Sequence, residues 1–439
     1  MHTPTTRTLS GAMTLIAVGS LLLAGCGQAP ATSSAPTTLK GPVTITFWNE
    51  MTGPYQAVVT DEIHAFHKLH PNVTVQDVVV SNDAALRPKL FSAIVAGDPP
   101  TVSEMNPPWA TGFISSHALV PLSSFIRGPQ GLSSAQQHDF YSTMLNGGKW
   151  PNGTQYLMPF NLSANIMFYN KTAFDAAGIH HFPTTWNGFY QDSLKLSTHG
   201  RKAFAITLVH SYPFLAFFYE AGGHFVGPKG QPNAAAFAPN GAAVKALTLW
   251  TNMVNHNAAV LTSGYASDTL FGNESSLILE ATSAASPYLK QAAAGRFTIG
   301  TAPMPTDTTS ATALFGGYLG IFSKATPSQQ LAAWEFVKFL TSTQGTVLWA
   351  EHSQGYLPVR KSAKNLMTTY LANHPAQATA LATLPDAKAE EKPAWWSQFS
   401  NQILINAIDA ALLHKMSPAA AMHKAYQQVI QEQAQTGDY

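Results

Sequence analysis

Residues 158–179 read MPFNLSANIMFYNKTAFDAAGI. The segment begins with a polar, turn-prone Pro159-Phe160-Asn161-Leu162-Ser163 and passes into a strand-like run, Asn165-Ile166-Met167-Phe168-Tyr169. It breaks at Asn170-Lys171, and a short helix pattern follows with Phe174, Ala177 and Ile179 on one side. Loop, buried strand and helix thus succeed one another. The stretch lies where one folded unit can hand over to another, and it reads as a hinge crossing that carries part of a ligand site.

Upstream, Val43 to Phe47 alternates as a strand and stops at Trp48-Asn49-Glu50. Tyr55 to Leu69 places Val58, Val59, Ile63, Phe66 and Leu69 at helical spacing until Pro71-Asn72 ends it. Val73 to Val80 is a second strand, and Ala84 to Ala96 a second helix closed by Gly97-Asp98-Pro99-Pro100. This strand–helix alternation is the parallel α/β pattern, in which ligands meet the loops at the strands' carboxyl ends. Those loops are Trp48-Asn49-Glu50, Ser81-Asn82-Asp83 and Glu104 to Trp109.

Downstream, a mainly helical region spans about residues 184–296. Strands are expected at Leu277–Thr282, Phe297–Met304 and Phe315–Phe322, a helix at Ser328–Leu340 and a compact turn at Gly355–Arg360. Two Ala-rich helices, near 400–414 and 417–434, close the chain. No internal repeat is present.

At 439 residues the chain suits two or three domains. Its 45% hydrophobic and 11% aromatic content can fill well-packed lobes. With 24 basic and 23 acidic residues and no Lys/Arg-rich run, it lacks the electrostatic footprint of a nucleic-acid binder. Only 11% of residues are charged, against about 25% usually. That reflects either an Ala/Ser/Thr-rich lineage or an acidic exterior, where few charges limit self-repulsion. His64, His67 and His70 fall at i, i+3 and i+6, a spacing that swings the third away, so no metal site is expected. No G-x-S-x-G anchors a hydrolase triad, and no spacing selects a glycosidase carboxylate pair. No cofactor is expected.

Residues 1–25 read as a signal peptide: Arg7, then an apolar core from Ala12 to Ala24 too short to span a bilayer comfortably. The core ends Leu23-Ala24-Gly25-Cys26, which resembles the bacterial lipobox, with Cys26 as the lipidated mature N-terminus. Cys26 is the only cysteine, so no intrachain disulfide can form. Residues 26–41, rich in Ala, Pro, Ser and Thr, read as a flexible tether. The expectation is a lipoprotein on the outer face of the cytoplasmic membrane.

Several stretches in order resemble the extracellular solute-binding proteins of ABC importers, in the large sugar-binding class. They are ITFWNEMTG at 45–53, FHKLHPNVTV, AIVAGDPPTV at 93–102, the 158–179 stretch, PTTWNGF at 183–189, FGGYLGIFSKAT at 315–326, AAWEFVKFLTS and QGYLPVRKSA at 354–363. The wording is most similar to the glycerol-3-phosphate binders. That group places a phosphate-binding Arg near the position of Leu404, whereas no Arg follows Arg360 here, and Asn106 stands where the group has a ligand-reading acid. Without a guanidinium fork a phosphate dianion loses its best partner, which favours a neutral sugar or polyol. A glycerol-3-phosphate or glycerophosphodiester receptor is the alternative within the class, and a secreted glycoside hydrolase the one outside it.

The resemblance implies a two-lobe α/β periplasmic-binding-protein fold with hinge crossings and an interlobe ligand cleft. Lobe one comprises 42–160 plus 299–354 and lobe two 163–297 plus 358–434, with crossings at Phe160–Ser163, Phe297–Met304 and Gly355–Pro358. Partners would be a small sugar, the transmembrane subunits of an ABC permease and, through the lipid, the membrane. Sugars are held by aromatic platforms and oriented hydrogen-bonding groups. Candidate platforms are Trp48, Trp109, Tyr212, Phe217, Trp395 and Trp396, each of which can equally be a core residue. Adjacent Trp395 and Trp396 cannot share a helix face, so one is expected to meet the cleft. Candidate hydrogen-bonding residues are Asn49, Glu50, Asn82, Asp83, Glu104, Asn106, Asn161, Ser163, Thr282, Gly316, Gly317 and Tyr356. Asn161→Ala is expected to weaken binding and spare the fold.

Overall fold

The computed structural model describes residues 38–208 and 210–437; the expected signal peptide, Cys26 and most of the expected tether lie outside them. Strand β1 (Val43–Asn49) turns Ile45 and Phe47 inward. The helix Pro54–Leu69 lays Tyr55, Val58, Val59, Glu62 and Phe66 against the core. Leu69, expected on that face, is 63% exposed, because it is the last helical residue before the chain turns into the Pro71-Asn72 loop. Strand β2 (Val73–Val79) pairs parallel with β1, and the helix Asp83–Ala96 leads on to β3 (Val102–Met105), parallel on β1's other side. Asn82 caps that helix through its side chain, and left-handed Gly97 (φ 76) ends it.

The next strand, β4 (Met158–Asn170), is 13 residues long and belongs to two sheets. Its first half, residues 158–164, pairs antiparallel with β9 (Thr312–Ile321), which in turn pairs with β3. Its second half pairs antiparallel with β7 (Ile278–Thr282) on one side and β8 (Ile299–Ala302) on the other. β5 (Phe204–Thr207) and β6 (Ala259–Thr262) continue the second sheet in parallel beyond β7. The order is β2-β1-β3-β9-β4-β7-β5-β6, with β4 shared across the middle.

Pro159 to Ser163, expected as a loop, therefore lies inside a strand. Two features make this possible. The register shifts between Pro159 and Asn161, where proline has no N–H to give the ladder. Opposite them lie Gly316 and Gly317. Gly316 has φ 135, and a Cβ there would collide with the Asn161 carbonyl; at Gly317 it would collide with the Glu104 carboxyl. The turn-prone look of the sequence is thus the signature of a bulged strand crossing close to another backbone.

Two apolar cores follow. Phe47, Phe66, Phe113, Trp334 and Trp349 sit in the first, Phe189, Phe204, Phe217, Trp250 and Trp396 in the second. Residues 299–302, expected in lobe one, form β8 on the second sheet, and the chain leaves that sheet along β9. Residues 359–387, expected in lobe two, instead contribute Val359, Met367, Leu371, Ala380 and Ala387 to the first core. Gly355-Tyr356-Leu357 meets the middle of the molecule: the Ser283 hydroxyl donates to the Gly355 carbonyl and the Leu357 N–H to the Leu162 carbonyl.

A strap then returns to the second core. β10 (Ala387–Lys388) adds to β9 at Thr312–Ala313. The Lys392 ammonium donates to the carbonyls of Asn146, Gly147 and Lys149 at 3.0, 3.1 and 2.8 Å, and the Lys392 carbonyl accepts from the Thr111 hydroxyl at 2.6 Å. Three residues on, the Trp395 indole donates to the Gly230 carbonyl in the second half. Lys392→Met leaves three carbonyls without their donor and is expected to destabilise the protein by about 2 kcal/mol. A urea midpoint equal to the wild type's would show that water replaces the ammonium.

Candidate ligand-binding cleft

A cavity of about 690 Å³ opens between the two halves. The helix Asp83–Ala96 contributes Asp83, Ala84, Arg87, Pro88, Phe91 and Ser92, and the helix Pro107–Ser115 contributes Trp109. From the other half come His210, just before the helix Tyr212–Glu220, and Asn401 in a π-helical turn, Phe399–Ile403.

Beside it lies a chain of buried polar groups centred on β4. The Glu104 carboxyl accepts from the Asn161 amide at 2.6 Å and from the Glu50 N–H at 3.1 Å. The Asn161 side-chain amide oxygen accepts from the Gly317 N–H at 2.8 Å. Four residues along, the Asn165 amide donates to Glu280 of β7. Burial pushes Glu104 up to about 7 against the pull of its hydrogen bonds, and Glu280 up to about 8. Burial, with the charges of Glu104 and Asp83, pushes Glu50 up to about 9. Glu390 accepts from the Tyr212 hydroxyl at 3.1 Å and is pushed up to about 8, again by burial. At neutral pH Glu50, Glu280 and Glu390 therefore keep their protons. A neutral carboxyl both donates and accepts, as a sugar hydroxyl requires of its partner.

Tyr212 packs against Phe315 at a tilt of 37° with ring centroids 4.0 Å apart, and His210 lies within 5.7 and 6.1 Å of their rings. Burial lowers the His210 pKa while Asp83 opposes the shift, so the ring is neutral at physiological pH. The Asp83 carboxylate also raises Glu50 and Glu104 on its own half and Tyr212 and Glu390 across the cavity. It stands where the halves face each other.

Of the sequence-derived candidates, Asp83 and Trp109 line the cavity. Glu50, Glu104, Asn161, Gly317 and Tyr212 lie in the adjoining network. Trp48 is half-buried under the Lys89 ammonium, 4.2 Å from its ring. Asn49 is buried, its amide used by Asp77 at 2.6 Å and by the Met51 N–H at 3.0 Å. Asn82 serves its helix as a cap, and Asn106 occupies the corresponding position on the next helix without a side-chain bond. The Ser163 hydroxyl points to the Phe315 carbonyl, Thr282 pairs with Asn165, and Gly316 packs on the Asn161 backbone. Tyr356 packs on Tyr55 and Trp349 with centroids at 5.0 and 5.4 Å. Phe217, Trp395 and Trp396 are fully buried. The expectation that one of the paired tryptophans meets the cleft is corrected: the turn at Trp395 sends both into a cluster with Phe399.

Arg87, His210, Asn401, Phe315 and Glu390 escaped the sequence reading. Arg87 was findable, one helical turn after Asp83 and hence on the same face. Asn401 sits three residues before Leu404, and only the π-helical turn brings it round, which ordinary helical spacing does not foresee.

Asn161→Ala, expected from the sequence to spare the fold, would instead strip partners from the buried Glu104 carboxyl and from the Gly317 N–H. It is expected to destabilise the fold by about 2–3 kcal/mol, measured by urea unfolding; no loss would mean that the network carries no energy. The raised carboxyls give a second expectation. Between the ordinary 4.5 and their folded values of about 7 to 9, the folded chain binds more protons than the unfolded one. Stability is thus greatest near pH 4.5 as far as these groups decide it, and falls as pH rises toward 9, on the order of 1–3 kcal/mol for each fully buried carboxyl. Thermal midpoints that rose from pH 5 to 9 would contradict this.

The chain resembles known proteins along most of its length. A Brucella abortus (strain 2308) protein named as a binding protein is 24% identical over 389 residues, covering 87% of this chain and 90% of its own. The crystal structure of UgpB from Mycobacterium tuberculosis in complex with glycerophosphocholine superposes with a TM-score of 0.79 at 22% identity, covering 90% of this chain and 99% of that one. The GacH receptor of Streptomyces glaucescens, solved unliganded and with acarbose, gives a TM-score of 0.78 at 19% identity, with coverages of 90% and 99%. At such identities the structural likeness carries the fold, a two-lobe binding-protein architecture. The profile of the bacterial extracellular solute-binding proteins matches residues 48–347, and the chain belongs to that family, the solute-binding receptors of ABC importers.

Proposed function

We propose that the protein is a lipid-anchored receptor that captures a carbohydrate, sugar or polyol, by hinge closure and delivers it to its permease without chemical turnover. The observation that carries this reading is the cavity itself: about 690 Å³, walled from both halves, with Trp109, Phe91, Asp83, His210 and Asn401 converging on it. Aromatic faces match sugar C–H surfaces, and Asp83, His210 and Asn401 offer polar groups to hydroxyls. β4, β9 and the 387–395 strap are the segments that would flex. A ligand touching Asp83 and Trp109 on one side and His210 and Asn401 on the other gains contacts only on closing, and that difference is what shifts the equilibrium.

Thermal-shift screening of neutral sugars and polyols beside glycerol-3-phosphate and glycerophosphodiesters tests the substrate class. Stabilisation by carbohydrates is expected, with Asp83→Asn and Trp109→Ala weakening it at least about tenfold. Stabilisation only by phosphorylated glycerols would transfer the chain to the alternative reading. For the anchor, Cys26→Ser is expected to release the protein from the membrane fraction into the medium; retention on the membrane would refute lipidation at that residue.

A further inference from the structure

Arg87 differs from the other cations around the cleft. Lys89 lies over Trp48, Lys392 holds three carbonyls, and Arg360 is bonded to backbone carbonyls and paired with Asp139. Arg87 lines the cavity and, among the described residues, makes no hydrogen bond and no ion pair; its guanidinium carbon lies 5.8 Å from the centre of the Phe91 ring. Asp83, one turn earlier, lies beyond ion-pair distance and accepts instead from the Ala84 N–H at 2.7 Å. Glu50 and Glu390 keep their protons and offer no countercharge at neutral pH. Burial works against the guanidinium's charge, and the Asp83 carboxylate, without touching it, partly offsets that. A half-buried planar fork of five N–H donors without an acceptor is suited to a bidentate oxyanion. Ser92 on the same helix and Asn401 across the cavity supply further donors.

We propose that Arg87 is a specificity residue of the cleft, and that the captured carbohydrate carries an acidic substituent, a carboxylate or a phosphate ester, gripped by Arg87 from the first half of the molecule. This rests on the carbohydrate-receptor reading and narrows it. It also replaces the inference of a neutral ligand drawn from the lack of an arginine after Arg360: the guanidinium sits on the opposite wall.

Calorimetry on the purified protein with matched sets decides it: glucose, glucuronate and glucose 6-phosphate; galactose, galacturonate and galactose 6-phosphate. The acidic member of a set is expected to bind at least about tenfold more tightly than the neutral one. The uronate and phosphate arms show which oxyanion is meant. Arg87→Gln should collapse that preference and Arg87→Lys restore part of it, with thermal melts confirming that both fold. A neutral member that binds as tightly as its acidic counterpart, or a preference that survives Arg87→Gln, overturns this proposal and leaves the receptor reading standing. The wild-type comparison decides even if a variant fails to fold. Binding by no member of any set would overturn both.

Discussion

The contact on which the rest depends is the close passage of β4 against β9, tied by Asn161 to Gly317 on one side and to Glu104 on the other. One strand serves two sheets only if its neighbours change midway, and β4 changes from β9 to β7 and β8 within the space of the two asparagines. Any side chain at Gly316 or Gly317 would push the strands apart. The two halves are therefore joined by continuous hydrogen-bonded backbone, which limits how they can move while still allowing them to rotate about it.

Much of the architecture was legible because it is written in periodicity. The alternation of Val43 to Phe47 and the helical spacing of Val58, Val59 and Phe66 are local facts that tertiary packing did not overrule. The crossing was harder. Pro159, Asn161 and Ser163 carry turn chemistry, and only the glycines on a strand more than a hundred residues away turn that chemistry into a bulge. The site was the least legible part. Asn49 and Asn82 have the right residue type in the right loops, yet one is held by Asp77 and the other caps a helix. Trp395 and Trp396 were singled out for being large and adjacent, and size is what the second core needed. Side-chain type names the groups able to bind a ligand; only the surrounding structure says which are already in use.

The low charge content takes on meaning beside the buried carboxyls. Glu50, Glu104, Glu280 and Glu390 occupy the middle of the molecule and are all displaced upward by burial. A protein so built is relieved rather than stressed by acid, since protonation removes a desolvation penalty and few exposed carboxylates are there to lose.

The placement of β9 has a consequence for how the chain reaches this state. The parallel strands β2, β1 and β3 are complete early, but β3's outer edge is covered by a strand that arrives only after β5, β6, β7 and β8 have been made. β4's first half waits for the same partner. The early sheet is left with an open edge, and its closure must bring together residues far apart in sequence, an entropically slow event. The crossing thus exists only once residues 158–164 and 312–321 have met, and forming it carries one of the larger loop-closure costs in the fold.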